Sequence, residues 1–78
     1  MSDAGPLQPP MMGTWDVLVL AARPFSIHGD AYLELAIRHS AGDLTVRVPA
    51  HAWSTPPTDG DRVRLTFLMG QVTRVETL

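Results

Sequence analysis

The stretch GDRVRLTFLMGQVTRVE, running from Gly60 to Glu76, contains two strand-like runs with almost no loop between them. Val63, Leu65, Phe67 and Met69 alternate with Arg62, Arg64, Thr66 and Leu68, a period of two that sends one face into a core and leaves the other in solvent. Gly70-Gln71 supplies the turn, because glycine accepts the positive φ of a tight hairpin. With Met69 opposite Val72, simple pairing would set Phe67 against Arg74. A one-residue bulge in the last strand repairs this by placing Val75 opposite Phe67 and turning Arg74 outward. The pattern predicts a small antiparallel β domain.

Working outward, the same alternation recurs. Thr14 to Ala22 reads as a first strand with Trp15, Val17 and Val19 on one face and Leu18 and Leu20 on the other. Apolar residues on both faces suit a long strand serving two halves of a barrel. Arg23 to Asp30, broken by Pro24 and Gly29, reads as a connection. Ala31 to His39 and Leu44 to Val48 form a hairpin about Ala41-Gly42, which sets Ile37 against Val46 and Leu35 against Val48. On its outer face Arg38 meets Thr45, Ala36 meets Arg47, and Glu34 lies diagonal to Arg47. Pro49 to Asp61 carries Pro49, Pro56, Pro57 and Gly60, and has room for one helical turn around His51 to Ser54. Residues 1–13, with Pro6, Pro9 and Pro10, read as a flexible proline-rich tail ahead of a single domain over 14–78.

At 78 residues the chain is near the lower limit for burying a sufficient core. It has no cysteine, so neither disulfides nor a thiolate zinc site can reinforce it, and its three histidines (His28, His39, His51) lack close ligand spacing. Self-association is therefore expected. The longest apolar run, Val17 to Ala22, is much shorter than the ~20 residues of a membrane span, which leads to the expectation of a cytoplasmic protein. Formal charge is −2 and every cation is arginine. There is no global attraction to polyanions, so only a local arginine stripe can hold phosphate.

Five short strands, a long first strand, a 2–3 hairpin and a break before the closing pair resemble the OB-fold, a five-stranded antiparallel Greek-key barrel. The ending Gly60-Asp61-Arg62-Val63-Arg64-Leu65-Thr66-Phe67-Leu68, followed by Gln71-Val72-Thr73-Arg74-Val75-Glu76, is similar to the closing strands of single-stranded-DNA-binding OB proteins. Two features depart from that family: the 4–5 loop is only Gly70-Gln71, and the segment before strand 4 is broken by prolines. The resemblance implies single-stranded DNA or RNA binding, as an accessory to DNA replication, recombination or repair, with the ligand on the outer face of strands 2 and 3.

That face offers Tyr32 for stacking and Arg38 and Arg47 for the backbone, while Phe25 and Trp53 can extend the stacking surface. Arg62 and Arg64, with Arg74, form a second group on strands 4 and 5, which also suits a solvated edge that resists aggregation. No nucleophile, base and orienting group share a usable spacing, and Asp59-Gly60-Asp61 lacks the further oxygens of a calcium loop, so no enzyme, metal or cofactor is expected. The competing reading is a protein-interaction module, a small barrel docking a partner through a strand edge or the Trp53 loop. An SH3-like barrel would keep the strands and change the functional face.

Overall fold

The computed structural model of the chain describes residues 8–78. It is all-β: β1 (Met12–Ile27), β2 (Asp30–His39), β3 (Gly42–Pro49), β4 (Arg62–Leu68) and β5 (Gln71–Thr77), with one 3-10 turn, Ala50–Ala52, after β3. All five strands belong to one antiparallel sheet in the order β3-β2-β1-β4-β5. Neighbour pairing makes β1, β3 and β5 run the same way. Among the described residues the two edge strands, β3 and β5, share no ladder, so the sheet is not closed. No helix among these residues is long and apolar enough to cross a membrane. The tail expectation over residues 1–7 lies outside the described residues. Met12 and Gly13, assigned to the tail from sequence, pair with Leu68 and Phe67.

β1 is longer than its apolar run suggests. It pairs with β4 over Met12–Leu18 and with β2 over Leu18–Ile27. The segment read as a connection is strand, and Pro24 sits within it, opposite Leu33. Pro24 is tolerated because β4 has already left β1 at Leu18, so the missing N–H need cost no ladder bond on that side. The chain reverses at His28-Gly29, with φ of 52° and 84°, the paired positive values of a type I′ turn.

Leu20 is an extra residue in β1. Val19 faces Ile37 and Ala21 faces Ala36, so the ladder slips by one residue between them. The slip reverses the alternation. Val17 and Val19 point into the core before it; Ala22 and Pro24 take that face after it, and Ala21, Arg23 and Phe25 turn outward.

Two hairpin registers differ from the sequence expectation by two residues. The 2–3 loop is Ser40-Ala41, so Ile37 faces Leu44 and Leu35 faces Val46. Gly42 takes φ 142° just past the loop, which spares Ala41 the positive φ that an Ala41-Gly42 turn would require. The 4–5 loop is Met69-Gly70, so Met69 is not inward; it stands 76% exposed in the turn. The bulge in β5 is present, with Thr73 as the extra residue, but it places Val72 opposite Phe67 and Val75 opposite Leu65. Slips of two keep every side chain on its face, and the core survives the error.

That core is Val17, Val19, Leu33, Leu35, Ile37, Val46, Val48, Ala52, Val63, Leu65, Phe67 and Val72, with Trp15, Ala22, Leu44, Trp53 and Val75 packed at its margin. Trp15 lies edge-on to Phe67 at 5.3 Å and stacks on His39 at 4.1 Å. The Gly60 N–H donates to the Val19 carbonyl and the Val19 N–H to the Asp61 carbonyl, both at 2.8 Å. Thr58 donates from its N–H and hydroxyl to the Asp61 carboxylate, which fixes the turn into β4.

Candidate functional site

The outer face of β1, β2 and β3 is laid out in rows. Phe25, Tyr32 and Pro49 form one, and Arg23, Glu34 and Arg47 the next. The Phe25 and Tyr32 rings stack at 5.6 Å with an interplanar angle of 22°, and the Arg47 guanidinium lies 5.6 Å from the Phe25 centroid. Both rings are half-buried and Arg47 is exposed. Offset ring stacking with a cation over one face is favourable for a quadrupolar ring, and it holds three long side chains against one another.

This platform borders a groove of about 670 Å³ between the edges of β3 and β5. Val46, Phe67 and Val72 contribute apolar surface to it, while Tyr32, Arg47 and His51 bring the polar groups. Among the described residues no carboxylate lines the groove, although the chain as a whole carries net negative charge. The groove therefore offers an aromatic, a cation and unpaired strand edges, with Glu34 beside Arg47 on the adjoining outer face.

The other arginines are differently employed. Arg38 lies directly opposite Asp43, not Thr45, and donates to both of its carboxylate oxygens at 2.9 and 3.2 Å. Arg64 does the same to Asp16 at 2.7 and 3.2 Å. These hydrogen bonds, together with the guanidinium charge, hold the Asp16 and Asp43 carboxyls below their ordinary values against a smaller desolvation effect. Arg38 and Arg64 are correspondingly held above theirs. Arg74 pairs with Glu76 at 3.3 Å. Among the described residues Arg23, Arg47 and Arg62 have no carboxylate within ion-pair distance.

The structure thus gathers Phe25, Tyr32 and Arg47, and it adds Arg23, Pro49 and His51, which the sequence reading did not choose for binding. Arg62 and Arg38 flank Leu18 on the same outer face, six ladder steps or on the order of 20 Å along β1 from Phe25, and Arg64 lies beyond them. Trp53 is half-buried against the core and lines a separate groove of about 590 Å³ with Thr73, Arg74 and Val75. Arg23 could have been found from the His28-Gly29 turn signal, which implies strand on both sides of it.

No titratable group among the described residues is buried, and no cluster of three or more metal-ligating side chains occurs among them. Comparison of the chain with models of protein families, with curated proteins and with solved structures finds no match.

Proposed function

We propose that the curled sheet is an OB-type barrel, its seam lying between β3 and β5, and that it binds single-stranded nucleic acid across the outer face of β1–β3. The observation that carries this reading is the Phe25–Tyr32–Arg47 cluster at the rim of a groove that no carboxylate among the described residues lines. A base stacks on the exposed side of the ring pair, and Arg47 and Arg23 meet the adjoining phosphates. Stacking of this kind contributes ~1–3 kcal/mol per base, whichever base it is. With two arginines on either side of Glu34 the electrostatic contribution is small, so binding is weak and salt-sensitive. The protein would then act without catalysis, as a cytoplasmic accessory in DNA replication, recombination or repair.

The test is fluorescence anisotropy of a labelled single-stranded oligonucleotide of ~20 nucleotides, which spans more than one site of this size. Saturable binding at low salt that weakens with added salt and with Arg47→Ala supports the reading. Absence of binding at tens of micromolar protein overturns it. The alternative, a small-barrel subunit that docks protein and not nucleic acid, is favoured by the exposed apolar cluster at the β4–β5 turn.

A further inference from the structure

Four large apolar side chains stand exposed where the start of β1 meets the β4–β5 turn: Met11, Met12, Leu68 and Met69, at 69, 70, 49 and 76% exposure. Backbone pairing brings them together at this end of the sheet. Met12 lies opposite Leu68, and the Gly70 N–H donates to the Met11 carbonyl at 3.1 Å. The two segments that carry the patch are uncharged, for neither Gln8–Trp15 nor Leu65–Thr73 contains an acidic or basic residue. Methionine enrichment with charge depletion is the compositional mark of an interface core.

Met69 adds an independent observation. Its φ is 54°, in the left-handed region that a side chain with a Cβ enters at a cost. The matching position of the other type I′ turn holds His28, a residue type enriched there, and Asn, Asp or Gly is the usual choice. At 76% exposure Met69 gains little packing within its own chain to offset that strain. Strain kept where the monomer does not profit from it points to a function outside the monomer.

We propose that this patch is the surface through which two copies of the chain associate about a two-fold axis. The four side chains present on the order of 500 Å² of apolar surface, within the range of the largest patch on a monomer, which is often functional. Pairing two such patches buries on the order of 1,000 Å², the size of a weak, reversible interface. An uncharged patch meets its own copy without like-charge repulsion, and a two-fold contact needs only one self-complementary surface. The chain's small core is the condition under which association adds most. Pro9 and Gly70 also line the β3–β5 groove, so the patch adjoins that groove. The inference does not rest on the nucleic-acid reading.

Sedimentation equilibrium of the full chain over roughly 1 to 500 µM tests it, without nucleic acid present. The expected result is a reversible monomer–dimer equilibrium, with Met12→Glu and Leu68→Glu each raising Kd at least ~tenfold while circular dichroism shows the fold intact. Met69→Gly removes the side chain and the strain together, and weakens dimerisation while raising the monomer's melting temperature. Ile27→Glu, at an exposed apolar position outside the patch, leaves Kd unchanged. A monomer throughout the range, a dimer indifferent to both glutamates, or an equal effect of Ile27→Glu would overturn the proposal.

Discussion

Phe25 and Tyr32 face one another directly across β1 and β2, and their rings stack 5.6 Å apart. Neither ring is buried, so the pair contributes more to the surface it presents than to the core. Their substitution should separate binding from folding. Tyr32→Ala and Phe25→Ala each weaken single-stranded DNA binding by roughly 5- to 100-fold, the equivalent of one stacked base. Thermal melts of the same variants fall by only a few degrees. Full-affinity binding by both variants would remove this face from the site.

Arg47 bears on salt dependence. Each phosphate neutralised on a single strand contributes about −0.7 to the slope of log K against log salt. Arg47→Ala should flatten that slope by about 0.7, and Arg23→Ala should do the same. Arg38→Ala should leave the slope nearly unchanged, because Asp43 already neutralises Arg38. Titrations at three salt concentrations distinguish these outcomes.

Asp16 and Asp43 predict the acid limb of stability. Each accepts two hydrogen bonds from an arginine, and each has its folded pKa lowered. A carboxylate lowered on folding contributes stability that is fully present above its unfolded value of ~3.9 and lost as pH falls through the folded value. The urea midpoint should therefore stay flat with respect to these two groups from pH 7 to about 5 and drop below about pH 4. Asp16→Asn and Asp43→Asn should each make that drop shallower, by a small amount because both pairs are exposed. An acid limb of unchanged steepness in the double variant would show that these pairs do not set it.

Met69→Asn relieves backbone strain at the first turn position. Asparagine enters the left-handed region more cheaply, so the monomer should gain about 1 kcal/mol, or roughly 4–8 °C in melting temperature for a domain of this size. The measurement belongs at dilute protein, where association does not mask it. A lower melting temperature would show that the methionine packs in a way its exposure does not suggest.

Phe67 is the largest of the fully buried side chains and meets the edge of Trp15 at 5.3 Å. Phe67→Ala should cost about 3–5 kcal/mol, a large part of the stability of so small a domain. Denaturant titration at dilute protein, where the chain is monomeric, checks this, and Leu68→Ala, half-exposed on the opposite face, is the control with little effect.

Much of this architecture is legible in the sequence because it rests on local periodicity. Val63, Leu65 and Phe67 alternate with polar partners, and all three are buried. Leu33, Leu35 and Ile37 do likewise in β2. The bulge in β5 could be read because Phe67 against Arg74 was unacceptable. Turn positions were less legible, since loops at Ala41-Gly42 and Ser40-Ala41 preserve the same faces and differ only in which residue takes the unusual φ. The ion pair of Arg38 with Asp43 follows from that small shift and was missed with it.

By itself, then, the sequence determined the number of strands, their antiparallel order through the hairpins and, Met69 apart, which residues of β2 to β5 form the core. It could do so because side-chain alternation is a property of each strand alone. The tertiary structure decided the composition of the outer face. Uninterrupted alternation from Val17 and Val19 would have sent Arg23 and Phe25 inward; the extra residue Leu20, absorbed where β1 changes partner from β4 to β2, turns both outward beside Tyr32 and Arg47. A bulge at that point answers to the sheet's curvature and to two neighbouring strands at once, and no single stretch of residues encodes it.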